Sequence, residues 1–431
     1  MSVLRIGLCF LIAFSVLAFG AVEVWSGSVV EIGAAALFVF WALLAYRNPG
    51  VTIQWNPLNW PLLGLIGIGL FQLLFRGTAY PFLTRTELLK LAAYFLIFFL
   101  VAQAFRTRRD LSGLAWFVIA FCFLISVLAI IQFFTSGGEI YWLSQYKVQG
   151  EPFGPYVNRN HFAGFVELTL PIGLALMAFR GVQRELFPLT TLLTIVPISA
   201  LVHTGSRGGI ISFVFEAGIL VLLVQNRRAW HRGAVMVGAI VALAALAFMA
   251  WVGTGRAIER FSGLKSPEVT LSRRTSMSRG AAHIFLDHPV KGSGLGTLVD
   301  VYPRYETAYD GKVVDHVHND YIELLAETGL LGGLCGFGFL WLLYRDARKV
   351  FAAEQGRFSS GLHAGAIVAV SGLLLHSFVD FNLHIPANAL LFLLQACVAT
   401  SPVLPSEGSP SRGRRTGKNF AAAEAGAADT N

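Results

Sequence analysis

The sequence predicts an all-α fold, a polytopic transmembrane helix bundle of about twelve spans with one long outer-face loop. Three observations carry this expectation. Of 431 residues, 55% are hydrophobic and 13% charged, with a mean hydropathy of +0.63, which is too much apolar surface for a soluble globule. The apolar residues form runs long enough to cross about 30 Å of hydrocarbon. The lysines and arginines fall in short clusters between those runs, where orientation signals belong.

In chain order the runs lie near 5–22, 27–46, 60–75, 86–105, 111–134, 161–179, 188–203, 208–225, 233–252, 324–344, 361–379 and 386–403. The run at 60–75 is the shortest. Arg5 and the Ala18-Phe19-Gly20-Ala21 segment imitate a secretory signal around the first run, yet it reads as an uncleaved helix, because the apolar residues that follow need a packing partner. With the N-terminus inside, the inner connections carry Arg106, Arg108 and Arg109, then Arg180 and Arg184, then Arg227, Arg228 and Arg232, then Arg345, Arg348, Lys349 and Arg357. This positive-inside pattern puts loops 135–160 and 253–323, together with Arg207, on the opposite face. The chain divides into a membrane domain over 1–404 and a Ser-, Gly-, Arg- and Ala-rich tail over 405–431, expected to be disordered and cytoplasmic.

A net charge of +8 and a pI near 9.5 would suit a nucleic-acid binder, but no nucleic-acid motif accompanies the basic clusters, so membrane lipids are the expected surroundings and nucleic acid is not an expected partner. Cys9, Cys122, Cys335 and Cys397 all lie within apolar runs, which argues against a disulfide framework or a cysteine metal site. The sequence shows neither a solenoid or propeller period nor a separate soluble domain.

Candidate chemistry starts at His318 and Asn319, a polar island ahead of one of the longest apolar runs. Asp315, His316 and His318 are competent metal ligands, but alternating residues on an irregular loop do not fix a coordination geometry, and neither a metal nor a cofactor is expected. Asp320 reads as a helix N-cap, with Glu323 completing a capping box. His318 then precedes a helix N-terminus, whose positive end keeps an imidazole neutral and able to accept a proton. The bland alternative is an interfacial histidine bonded to backbone. Glu323 and Glu327, one helical turn apart, should face a polar cavity, since charge directed at lipid is costly. Gly329, Gly332 and Gly333 read as positions where another helix approaches closely.

Arg207, in Thr204-Gly205-Ser206-Arg207-Gly208-Gly209, separates two apolar runs and must lie near the headgroups. Its planar fork beside glycine N–H groups suits a phosphate; the alternative is a headgroup anchor. Arg273, Arg274 and Arg279 precede a helical stretch ending at His288-Pro289, followed by a flexible turn with Gly292, Gly294 and Gly296. That turn lacks the strand and the Lys-Ser/Thr pair of a nucleotide loop. Basic residues on an outer face suggest an anionic ligand. The loop before 160 carries Tyr141, Trp142, Tyr146, Phe153 and Tyr156, readable as an interfacial belt or as stacking surfaces for sugars. Arg159 in Asn158-Arg159-Asn160-His161-Phe162 is a third phosphate candidate, with Asn160 beside it as a supporting residue. His376, Asp380, Asn382 and His384 form a last outer-facing polar group that could line an acceptor path.

Three stretches together resemble a known family. "HNDYIELLAETGLLGG" from His318 to Gly333, "TGSRGG" around Arg207, and the stretch from Arg274 to Gly294 ending in "HPVKGSG" are similar to the bacterial O-antigen ligase and Wzy-type polymerase family of membrane glycosyltransferases. The resemblance covers roughly Asn158 to Gly333. One departure is Ser278, four positions after Arg274, where the family often has an aromatic residue. The resemblance implies a helical inner-membrane enzyme of the GT-C type, acting at the periplasmic face on a glycan attached to undecaprenyl pyrophosphate. The acceptor is lipid A-core in ligases, another lipid-linked repeat in polymerases, and a hydroxyl amino acid in protein-glycosylating relatives.

On this reading His318 is the general base, and Arg207, Arg274 and Arg159 bind the pyrophosphate without a metal, with Asn319, Asn160, Glu323 and Glu327 in support. The partners expected are the lipid-linked donor and a lipid or glycan hydroxyl acceptor. The rival class is a flippase or secondary transporter, for which matching broken helices in two halves and a midplane site would be expected; neither is evident in the sequence.

Overall fold

The computed structural model describes residues 1–143, 152–226, 271–307, 311 and 313–404. The run expected at 233–252, Tyr146, the basic cluster at 227–232, part of the loop 253–323 and the tail 405–431 fall outside these residues. Among the described residues the chain forms thirteen α-helices and no sheet strand. They are α1 (Ser2–Leu17), α2 (Val24–Arg47), α3 (Asn59–Leu74), α4 (Pro81–Ala104), α5 (Arg108–Thr135), α6 (Arg159–Ala178), α7 (Phe187–Thr204), α8 (Arg207–Asn226), α9 (Leu271–Asp287), α10 (Leu298–Val301), α11 (Asp320–Ala353), α12 (Arg357–His376) and α13 (Pro386–Thr400). Eight helical segments are long and apolar enough to cross a membrane, while α1, α3 and α13 are shorter and apolar. Each of the eleven apolar runs expected within the described residues is occupied by one of these helices. The fold is therefore the expected all-α polytopic bundle.

Helix α6 is the axis of the bundle. Its whole apolar window is buried, enclosed by α5, α7, α8, α12 and α13. The tightest crossing is with α12, where Gly361 and Gly365 lie one turn apart. A Cβ at Gly365 would stand 2.9 Å from Ile172 Cα and Pro171 O, and one at Gly361 would stand 3.1 Å from Leu176 Cα. Small side chains thus let the two backbones touch, as between packed membrane helices generally.

Described residues between Met277 and Ala326 build a smaller apolar cluster of their own. Met277, Ala281 and Ile284 of α9 pack with Leu298, Val301, Tyr302, Val314, Val317 and Ala326. This cluster sits over the start of α11 and sets the height of α9 relative to it. The turn between them is firmly held, contrary to the flexibility that its glycines suggest. Gln72 donates to Lys291 O at 2.6 Å and to Glu327 O at 2.9 Å, and its own oxygen accepts from Leu295 N at 2.9 Å. Gly292, Gly294 and Gly296 all have positive φ, so they serve a fixed shape.

Gly329 does not admit a neighbouring helix either. At φ 64° and ψ −160° it breaks the helical path of α11, and Leu330 N donates to Pro289 O at 2.8 Å across the gap. Where Cβ atoms would sit at Gly332 and Gly333, the nearest groups are Thr328 and Leu325 of the same helix. Gly329 therefore seats the 288–292 turn.

Candidate active site

Polar groups from four separate stretches of chain meet at the turn that follows α12. Asp380, on that turn, is buried. Its Oδ1 lies 3.1 Å from His318 Nδ1 and 3.8 Å from His161 Nε2. A carboxylate can only accept, so Nδ1 of His318 carries the hydrogen and donates it, leaving the Nε2 lone pair free to take a proton. Burial alone would raise the Asp380 carboxyl; the His161 and His318 imidazoles facing it instead hold it well below the usual carboxylate range. It thus stays ionised, as a residue orienting an imidazole must be.

His318 reaches this partner through backbone in the left-handed region, at φ 53°, which is uncommon for a residue other than glycine. Val317, buried in the smaller apolar cluster, fixes the chain on one side. On the other, Phe381 lies 4.8 Å from the His318 ring, 4.6 Å from that of His161 and 4.5 Å from that of His316, centroid to centroid. One aromatic ring thus positions three imidazoles.

Helix α11 begins one residue earlier in its capping than expected. Asn319 is the N-cap, its side chain accepting from Tyr321 N and Ile322 N at 3.1 Å each, while its amide donates to Phe378 O at 3.1 Å. Asp320 is the first helical residue. Its carboxylate turns outward to accept from Leu383 N at 3.2 Å and from His384 Nδ1 at 2.8 Å. Nor does Glu323 close a capping box. Its Oε2 accepts from Val317 N at 3.0 Å, and its Oε1 lies 2.6 Å from His316 Nδ1 and 3.3 Å from His384 Nε2. Asn319 wins the cap because its amide oxygen can take the helix N–H groups while both carboxylates are drawn to histidines, a stronger charge-assisted pairing. Burial would lower the His384 imidazole, but the facing Glu323 and Asp320 raise it to about 10.

The two acids one turn apart on α11 therefore part company. Glu323 joins the histidines, whereas Glu327 accepts from Gly296 N at 2.8 Å and Leu298 N at 3.0 Å and so pins the glycine turn and the start of α10. Glu327 is a support for the loop, away from the His318–Asp380 pair. Asp315 is exposed and accepts from the N–H of His316 next to it. Asp315, His316 and His318 do not converge on one point, since His316 pairs with Glu323 and His318 with Asp380.

The three candidate arginines lie on different helices. Arg274, on α9, donates from Nη1 to Val379 O at 2.5 Å, next to Asp380, while its buried Nε has no hydrogen-bond partner among the described residues. Arg207 opens α8. The following residue, Gly208, lies against His376 and Val379, where a Cβ would stand 2.5 Å from the His376 imidazole nitrogen Nε2 and 3.3 Å from Val379 Cγ2. Arg159 is the first residue of α6, whose N-cap Asn158 accepts from Asn160 N at 2.8 Å. It stands two positions before His161. Deeper in the bundle, His376 Nδ1 meets Glu167 Oε1 at 2.9 Å.

Two aromatics expected in an interfacial belt or against sugars are core residues instead. Phe153 and Tyr156 are buried, and Tyr156 donates to Asn388 Oδ1 at 2.9 Å. In the sequence Asp380, His376 and His384 stand out as polar residues without evident partners. Their interruption of an apolar stretch was the available signal; pairing them required tertiary contact.

Residues 192–337 match the family model described as O-Antigen ligase, a stretch that includes Arg207, Arg274 and His318 and ends before Asp380. The teichuronic acid biosynthesis protein TuaE of Bacillus subtilis (strain 168) is 24% identical over 316 residues, covering 68% of this chain. The chain spans 62% of that relative's length. Residues 192–337 thus match the O-antigen ligase family model, the family that the chain's histidine and arginine motifs resemble.

Proposed function

We propose that the chain is a glycosyltransferase of the O-antigen ligase type, moving a glycan from undecaprenyl pyrophosphate to a hydroxyl of lipid A-core or a comparable acceptor. The observation that carries this reading is the His318–Asp380 pair, with Arg274 bound one residue from Asp380. It offers a base with a fixed tautomer beside a cation, as displacement of a phosphate leaving group by a hydroxyl requires.

In the proposed step His318 Nε2 takes the proton of the acceptor hydroxyl as its oxygen attacks the anomeric carbon from the face opposite the leaving group. The bond from that carbon to the phosphate oxygen breaks, its electron pair leaves with undecaprenyl pyrophosphate, and the anomeric centre inverts. Arg274, Arg207 and Arg159 meet the charge that develops on the pyrophosphate, so the transfer step itself calls on no divalent ion. The positive-inside pattern supports an inner-membrane protein whose loops at 135–160 and 253–323, and with them the site, face the periplasm, with 405–431 as a cytoplasmic tail.

A Wzy-type polymerase, passing the glycan to another lipid-linked repeat, is the second reading. It is favoured by the similarity to TuaE, whose name assigns it to teichuronic acid biosynthesis. Reconstitution in proteoliposomes with lipid-linked glycan tests the reaction class: glycan moved between carriers supports transfer, and glycan moved unaltered across the bilayer makes the chain a flippase. Deleting the gene separates the two transferases. Polymerised but unattached surface glycan indicates a ligase, and single attached repeats indicate a polymerase.

A further inference from the structure

Beside the proposed catalytic pair, His316, Glu323 and His384 form a second cluster that the transfer step does not use. We propose that these residues bind one first-row transition metal ion of the zinc class, through His316 Nδ1, Glu323 Oε1 and His384 Nε2. The ion ties the loop carrying His318 to the turn carrying Asp380.

The geometry comes first. The three ligand atoms all lie within 4.8 Å of one another. Glu323 Oε1 is 3.3 Å from His384 Nε2, the separation expected of two ligands sharing an ion at about 2.0–2.2 Å from each. His316 Nδ1, now 2.6 Å from Glu323 Oε1, needs to withdraw by about 0.7 Å to reach the same ligand–ligand separation. It can do so, because its ring is half-buried on a loop.

The surroundings match a metal site in a way that a simple ion pair does not require. His384 presents Nδ1 to Asp320 Oδ1 at 2.8 Å, so Nδ1 holds the hydrogen and Nε2 faces Glu323. This is the carboxylate–histidine–metal arrangement that orients a ligating imidazole and raises its basicity. Asp320 is itself held by Leu383 N at 3.2 Å. The second oxygen of Glu323 is held by Val317 N at 3.0 Å, leaving Oε1 to the ion. Two carboxylates thus surround two imidazoles, a charge balance that a divalent cation completes.

The donor set selects the ion. Two imidazole nitrogens and one carboxylate suit Zn²⁺, Co²⁺ or Ni²⁺, whereas Mg²⁺ and Ca²⁺ prefer oxygen ligands. The described residues offer three donors here, so a remaining position falls to water on the half-buried side of His316 and His384. His316 stands two residues before His318, and His384 stands four after Asp380. The ion's role is therefore positional, clamping the two segments whose side chains meet as base and orienter.

Metal binding by the full-length protein, purified in detergent with its affinity tag removed, provides the test. Titration with Co²⁺ is followed by visible absorption, and Zn²⁺ is then added in competition. The expected result is one equivalent of Co²⁺ with a low-symmetry spectrum, displaced by Zn²⁺ and not by excess Mg²⁺. Affinity should fall at least about 100-fold in His384→Ala and His316→Ala, fall about 10–100-fold in Asp320→Asn, and persist in His318→Ala and Asp380→Asn. Should Glu323→Gln or His384→Ala fail to fold, His316→Ala decides, since its ring is on the rim. Absence of stoichiometric Co²⁺, or unchanged affinity in His316→Ala, overturns the proposal and leaves a protonated His384 bridging Asp320 and Glu323. Because the readout is binding, it stands or falls independently of the glycosyl-transfer reading.

Discussion

Asp380 accepts the Nδ1 hydrogen of His318 at 3.1 Å although 62 positions separate them in the chain. Asparagine at this position retains the shape but presents an N–H as readily as an oxygen, and it then stabilises the tautomer with the hydrogen on Nε2, which cannot accept a proton. Asp380→Asn should lower kcat by about 10²–10⁴-fold, with a smaller effect on KM, as in other orienting carboxylates. His318→Ala should fall in the same range. Wild-type turnover by a membrane-inserted His318→Ala protein removes the base assignment.

The ionised state of Asp380 also bears on acid stability. A carboxyl whose pKa is lowered by folding stabilises the fold at every pH above its ordinary value, and loses that effect as pH falls toward the folded value. The ordinary value here is 3.8. The difference in unfolding midpoint between the wild type and Asp380→Asn, measured in detergent, should be constant above about pH 5 and shrink below about pH 4. A difference that widens on acidification contradicts the depressed carboxyl.

Arginine and lysine separate phosphate recognition from anchoring. Lysine keeps the charge but lacks the planar fork. If Arg274 and Arg207 clasp a pyrophosphate, Arg274→Lys and Arg207→Lys should each reduce kcat/KM for the lipid-linked donor by about 10-fold or more. Membrane insertion should be unchanged. A headgroup anchor tolerates the exchange, so full activity of Arg207→Lys assigns that residue to the interface.

The turn that holds α9 against α11 should be sensitive to a single methyl group. Gly292 has φ +70°, and a Cβ there would overlap the backbone of Glu327 and Thr328. Gly292→Ala should cost about 1–2 kcal/mol for the left-handed backbone and about 1–3 kcal/mol for overpacking. Gly67→Ala is the control: it lies inside α3 with nothing within 4 Å of a Cβ, and should be neutral or slightly stabilising. Thermal unfolding of the two variants in detergent makes the comparison; equal midpoints would show that the turn yields.

Hydrophobic run length alone made the bundle legible, because a chain crossing hydrocarbon must satisfy its backbone within each segment and so has helix as its main option. The basic residues at Arg207 and Arg274 and the histidine at His318 were legible as well, since charge next to apolar runs is costly and stands out. Which partner each polar residue takes was not. Periodicity says that Glu323 and Glu327 share a helix face, yet one turns to His316 and the other to Gly296 and Leu298. Asp320 and Asn319 are both good caps by residue type, and the choice depended on His384, which lies 64 residues away from Asp320. The decisive contacts, His318 with Asp380 and Arg274 with Val379, join residues far apart in sequence. Only the packing of α6, α8, α9 and α11 around the turn after α12 brings them together, and that packing depends on side-chain shape summed over the whole bundle, which no local pattern records.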